Sequence, residues 1–374
     1  PISLLVGGFP VPERVEGRIA SQTESTPWFK EPDDHKNLIL QMLESSNICD
    51  RSWVYSQYDQ HVQANTVVDI GENSGVLEFP NGRKIAFTSD CNSFWCLLDP
   101  QQGTANSACE SLRNLVAMGA KPIFIADCLN FGNPERPESY GQFVEAMRGL
   151  GRFSHDFDIP IVGGNVSLYN ESIVDREPKR INPTPQIMLA GIFDRSHMPV
   201  RRNLVTPWAN VFLVGETLPE MNGTEFQRLS LGQVKGIPPR YRPEEEKRSM
   251  EIILEAHDKG LIRSCNNVGR GGIAIGLMKM ALNSRYGFKL NLDYIPGTVS
   301  SLAQRLFSET SGRYLAEVTE GNQSEFLNII EKHQGVACEL GLTITEMFAD
   351  FGKFSIPMQE AKEVFRRGLR EYME

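Results

Sequence analysis

The chain has 374 residues and a formal net charge of −9. That length is enough for two domains with cores of their own, and the acidic balance, without a basic tract or arm, argues against nucleic acid as a main partner. No apolar run approaches membrane-spanning length and no secretory leader is recognisable, while seven scattered cysteines without a C-x-x-C pair fit a reducing compartment, so a cytoplasmic protein that does not engage a membrane is expected.

In chain order, residues 1–50 read as an approach segment. Gly7-Gly8-Phe9-Pro10, Pro12, Pro27 and Pro32 interrupt regular structure, and Asp33 or Asp34 is placed to cap a short helix with Leu38, Ile39, Met42 and Leu43 on its apolar face. The sequence starts at Pro1 rather than Met, which suggests a piece of something longer. His61, alone beside a strand, reads as a packed or surface residue. Thr66 to Ile70, Val76 to Phe79 and Lys84 to Thr88 are β-rich, and Asn81-Gly82 signals a hairpin. Between Thr104 and Gly119, Ala105, Ala108, Cys109, Leu112, Leu115 and Val116 recur at helical spacing, which assigns Cys109 to a core and not to nucleophilic chemistry.

The stretch from Asp127 to Ser167 carries the chemistry. An apolar run, Pro122 to Ala126, leads into Asp127-Cys128-Leu129-Asn130-Phe131-Gly132-Asn133-Pro134. A second run, Ile159 to Val162, leads into Gly163-Gly164-Asn165-Val166-Ser167, and a helix over about Glu138 to Asp156 lies between them. Two strands joined by one helix should open on the same side, each stopping in a polar cluster of the kind that carries α/β sites. The glycines allow close backbone approach and positive φ. Asp127 and Asn165 are hard oxygen ligands suited to magnesium, and Ser167 is a neutral hydrogen-bond donor. No P-loop pattern is present, and turn formation alone accounts for one such block better than for two.

A shift to Arg, Pro and polar residues around Arg195 to Pro207 marks a boundary after the strand Ile187 to Phe193, so domains are expected at 51–200 and 201–374. The second opens on the β-rich Asn210 to Gly215. A helix follows from Pro243 to Gly260, with an early proline, three glutamates in its first turns and a terminal glycine. Arg270-Gly271-Gly272 opens another helix through Ala281, where close packing explains the glycines better than a phosphate cradle. Lys289 to Leu292, Val299 to Phe307, Arg313 to Thr319 and Ser324 to His333 continue the alternation of strand and helix, closed by a helix from Pro357 to Met373. Glu309 suits either a magnesium ligand or a turn. The residues thus read as a two-domain α/β or α+β protein.

The long block D-C-L-N-F-G-N-P-E-R-P-E from Asp127, G-N-V-S-L-Y-N-E from Gly164 and P-T-P from Pro183 resemble phosphoribosylformylglycinamidine synthase, and its second homologous half in particular. The resemblance implies an aminoimidazole ribonucleotide (AIR) synthase-like fold. Its N-terminal domain would carry a small sheet that closes a barrel with a homologous domain, and its C-terminal domain would be α/β. It implies an ATP-dependent C–N ligase of purine biosynthesis, which uses magnesium and glutamine-derived ammonia to convert formylglycinamide ribonucleotide to formylglycinamidine ribonucleotide. By the same resemblance Asp127 and Gly164 would contact ATP, Asn165 would bind magnesium and Ser167 would touch the substrate. The catalytic histidine would belong to the first half, so this piece would need that half and a glutaminase, and alone it would be inactive and prone to homodimerise through its sheet. Cys91 stands where the family has glycine, and Asn266 to Arg270 lack the family's titratable residues. These departures leave open a non-catalytic nucleotide-binding half, or a stand-alone kinase or synthetase of the same superfamily.

Overall fold

The computed structural model describes residues 14–17, 31–174, 176–194 and 197–373. Gly7 to Pro12, Pro27 and the start of the Arg195 boundary lie outside the described residues. Helix α1 (His35–Glu44) begins where Asp34 accepts a hydrogen bond from the Asn37 N–H at 2.9 Å, and it buries the expected Leu38, Ile39, Met42 and Leu43. A short helix α2 (Ser52–Tyr55) follows.

The first sheet has six strands, β1 (Thr66–Val68), β2 (Gly75–Glu78), β3 (Lys84–Asp90), β4 (Lys121–Asn130), β5 (Ile161–Ser167) and β8 (Thr184–Ile192), in the order β1-β2-β3-β8-β4-β5. Its pairs are antiparallel except β4 with β5. The hairpin between β2 and β3 turns at Gly82, whose φ of 77° is the left-handed conformation that glycine adopts without penalty. A separate two-stranded hairpin, β6 (Glu171–Val174) and β7 (Glu177–Arg180), connects β5 to β8.

Helix α3 (Ser93–Leu98) is capped by Asn92, whose side chain accepts from the N–H groups of Phe94 and Trp95. Helix α4 (Pro100–Ala117) starts four residues before the expected Thr104, because Asp99 caps it and Pro100 occupies its first position. The polar first turn hides that start from periodicity. Helix α5 (Pro137–Phe157) crosses over from β4 to β5.

The second sheet runs β10 (Ile262–Asn267), β12 (Tyr314–Val318), β9 (Asn210–Val214), β13 (Ala337–Ile344), β11 (Gly287–Leu290), β14 (Phe348–Asp350) and β15 (Ser355–Pro357), in that spatial order. Helices α6 (Glu225–Leu231), α7 (Pro243–Asp258), α8 (Gly272–Leu282), α9 (Leu302–Phe307), α10 (Gln323–Lys332) and α11 (Met358–Met373) complete it. Helix α9 carries a capping box between Ser301 and Gln304.

Helix α4 joins the two sheets. It touches β3, β4 and β8 of the first, β10 of the second, and α5 and α7. One apolar core therefore runs through it, from Val76 and Ala86 past Leu112 and Leu115 to Phe212 and Ile252. Cys109 is fully buried there, as its place on the apolar stripe requires. A second core lies between α1, α8, α11 and the far face of the second sheet. Among the described residues no helix is long and apolar enough to cross a membrane.

Candidate functional site

Strands β4 and β5 lie side by side and parallel, so their C-terminal ends open together. Asp127 pairs with Gly164, Cys128 with Asn165 and Asn130 with Ser167. The polar blocks do not end the strands as expected. They continue them, because the ladder from β8 and β5 holds Asp127 to Asn130 extended. Nor do Gly163 and Gly164 adopt positive φ, since neither is among the left-handed residues. Gly164 is required for a different reason: a Cβ there would overlap the Asp127 carboxylate. Gly163 faces open space.

Side chains alternate along a strand. Ile125 and Leu129, which are buried under α5, put Asp127 on the helix-covered face. Cys128, Asn130, Asn165 and Ser167 therefore share the uncovered face. The Asp127 carboxylate makes no hydrogen bond or ion pair among the described residues, and burial raises its pKa. Asn165 is exposed, and its Nδ2 donates to Cys128 Sγ at 3.7 Å. Its Oδ1 accepts nothing among the described residues. Ser167 Oγ donates to Asn170 Oδ1 at 3.2 Å, and Asn170 Nδ2 returns to the Ser167 carbonyl at 2.7 Å, which fixes the strand end.

β5 is the terminal strand, and every residue from Ile161 to Val166 is exposed. Among the described residues its outer backbone N–H groups have no partner strand. The two glycines make this edge thin, so one ligand lying along it can reach Asp127 on one face and Asn165 and Ser167 on the other. Its hard oxygens and outward N–H groups suit a metal-bound phosphate.

Other sequence candidates resolve into structural roles. Asn92 is committed to its cap. Cys91 is not left-handed, so its Cβ creates no backbone strain there. Asn266 Nδ2 donates to the Gly276 carbonyl at 3.0 Å, and Asn267 bonds to Asn114. Glu309 is buried, and one of its oxygens accepts from the Glu225 N–H at 2.9 Å and the Gly271 N–H at 2.8 Å. It thus holds the starts of α6 and α8, the turn-forming choice. Burial pushes its carboxyl up to about 7, against the Arg270 charge and the two backbone N–H donors, which pull it down. His61 is exposed, 3.2 Å from Asp69.

Sequence reasoning missed a cavity of about 500 Å³ between the domains, where Arg51, Arg201, Arg202, Arg270 and Lys279 meet Asp90 and Glu110. Burial, then the Glu110 charge, raises Asp90 to about 7, and burial lowers Lys279 to about 8. These residues come from six separate segments, so no local pattern announces them.

Residues 71–193 match the N-terminal domain of AIR synthase related proteins, and residues 210–347 match the C-terminal domain of the same proteins. The chain belongs to this family, and its α/β architecture with mixed sheets is that of the family. A phosphoribosylformylglycinamidine synthase subunit PurL of Methanocaldococcus jannaschii is 40% identical over 306 residues, which is 80% of this chain and 42% of that protein. The chain spans about half the length of the curated relatives it matches. A structure of Thermotoga maritima PurL complexed with FGAR shares the fold, with a TM-score of 0.72 at 21% identity over 89% of this chain and 54% of that one. Structures described as T. maritima PurL complexed with ATP and as PurLQS share it with TM-scores of 0.66 and 0.67, each at 20% identity, over 87% and 88% of this chain and 52% of each of theirs.

Proposed function

We propose that this chain is the second of two homologous halves of a phosphoribosylformylglycinamidine synthase, and that the β4–β5 edge is its contribution to the synthetase site. The observation that carries this reading is Asp127 lodged over Gly164, beside an Asn165 whose oxygen is unbonded, on an edge with no partner strand, all among the described residues. Asp127 and Gly164 contact ATP, Asn165 holds magnesium through Oδ1, and Ser167 donates to the substrate amide or phosphate.

The residues fit magnesium. Asn165 Oδ1, an exposed hard oxygen without a partner among the described residues, is the donor that would hold it. Bound ATP–magnesium supplies the phosphoryl group that activates the amide oxygen of formylglycinamide ribonucleotide for displacement by ammonia. The chain's own part is positioning and charge placement, the larger share of catalysis in phosphoryl transfer. The edge N–H groups and the glycines bring backbone donors close to the phosphates. Asn170 Nδ2, bonded to the Ser167 carbonyl, keeps the substrate end of the edge in place, and the Ser167 hydroxyl exchanges Asn170 Oδ1 for the substrate.

The uncovered face of the sheet exposes Val67, Phe79 and Ile192. A homologous N-terminal domain from the first half covers this face, and a second copy of this chain substitutes for it when that half is missing. A glutaminase supplies ammonia. The domains divide at 51–200 and 201–374, and the protein works in the cytoplasm.

The test is complementation. The isolated chain, given ammonia, ATP, magnesium and formylglycinamide ribonucleotide, forms no product, and adding the first half restores turnover. Turnover by the isolated chain, or none on complementation, contradicts the proposal.

A further inference from the structure

We infer that Cys128 is a positioning residue, whose sulfur sets the rotamer of the Asn165 carboxamide so that its oxygen faces the ligand. The inference rests on the reading of Asn165 as a metal ligand. A primary amide has one acceptor end and one donor end, and only the acceptor end binds a cation. Turned by half a rotation, Asn165 would aim two N–H groups at the metal.

The contact that distinguishes the two orientations is Asn165 Nδ2 donating to Cys128 Sγ at 3.7 Å, between register partners on the parallel strands. A thiol donates and accepts weakly; here the Cys128 S–H is directed at Asn130 Oδ1 at 3.9 Å, so its lone pairs meet the NH₂ end of Asn165 and leave the oxygen outward. Cys128 is held in turn. Asn130 Nδ2 donates to the Cys128 carbonyl at 2.9 Å and to the Thr184 carbonyl at 3.1 Å. The same carboxamide lies against Cys128 Sγ, 3.8 Å from its nitrogen and 3.9 Å from its oxygen. The order imposed by β8 is thereby passed through Asn130 and Cys128 to Asn165, all on the uncovered face. Groups behind a ligand that fix its orientation commonly contribute tenfold or more to metal affinity.

The experiment uses this chain assembled with its complementary half, and follows Mn²⁺ binding by electron paramagnetic resonance with a non-hydrolysable ATP analogue. Cys128→Ala weakens Mn²⁺ about tenfold, with an unchanged thermal midpoint. Cys128→Ser, which keeps an acceptor, binds within about threefold of wild type. Asn165→Ala removes the site. Wild-type affinity in Cys128→Ala, or a Cys128→Ser variant as weak as Cys128→Ala at an unchanged midpoint, overturns the positioning role and leaves the metal assignment standing. Unchanged Mn²⁺ binding in Asn165→Ala overturns the metal assignment, and this inference with it.

Discussion

The parallel edge of β4 and β5 and the buried polar layer around α4 and the starts of α6 and α8 differ in what their polar atoms do. In the layer, Arg113 pairs with Glu246 from α4 to α7, both buried. Glu309 accepts from two helix starts through one oxygen, its other left unpaired in the interior as are Glu246 Oε2 and Arg113 Nε, and Ser111 Oγ donates to the Ile187 carbonyl at 2.8 Å. At the edge, the Asp127 carboxylate and the Asn165 oxygen have no partner among the described residues. Polar groups sealed in the interior build a fold even where an atom is left unpaired, whereas unbonded ones on an exposed edge are available to a ligand.

The comparison can be broken first at the layer. Arg113→Ala leaves Glu246 as a buried charge without its counter-ion, and is expected to destabilise the protein by about 3–5 kcal/mol in urea unfolding. A loss under about 1 kcal/mol would mean that the pair is not what holds α4 to α7.

At the edge the expected effect is on turnover and not on folding. In the complemented synthetase, Gly164→Ala displaces the Asp127 carboxylate, which can swing aside, so activity falls about a hundredfold or more while the thermal midpoint stays near wild type. Equal activity in this variant would remove Asp127 from the site.

The pH dependence sharpens the contrast. Because burial raises Glu309 to about 7, the folded state keeps a proton that the unfolded chain releases near pH 4.5. Its contribution to stability is therefore present at acidic pH and is lost as pH rises through about 7. Glu309→Gln keeps an oxygen for the two N–H groups and should flatten the decline of the thermal midpoint between about pH 5 and 7.5. An identical slope in wild type and variant would show that Glu309 titrates as an ordinary carboxyl. The smallest effect is expected at His61: His61→Ala on the surface should change stability by no more than about 0.5 kcal/mol and leave turnover unchanged.

Much of this was legible from local pattern. The apolar stripe of α1, the stripe that buries Cys109, and the alternation from β11 to α10 follow from periodicity and caps. So does the parallel opening of β4 and β5, because one crossover helix constrains it. What was not legible depends on partners distant in sequence. The Asp127 block reads as a turn cluster, yet neighbouring strands keep it extended. The need for glycine at 164 lies in a side chain 37 residues earlier, across a strand pair, so it shows as a steric fact and not as a torsion. Glu309 is equally suited to metal and to turn until Glu225 and Gly271 are placed beside it. The charged cavity draws on six segments and has no local signature at all.

The central claim, that this edge holds a metal-bound triphosphate, is tested most directly by anomalous diffraction from Mn²⁺ in the complemented synthetase with a non-hydrolysable ATP analogue. The account predicts a manganese peak at coordination distance, about 2.0–2.2 Å, from Asn165 Oδ1, with the phosphates along β5 beside Gly163 and Gly164. A peak beside Asp90 and Glu110 in the interdomain cavity, with none at Asn165, would contradict it.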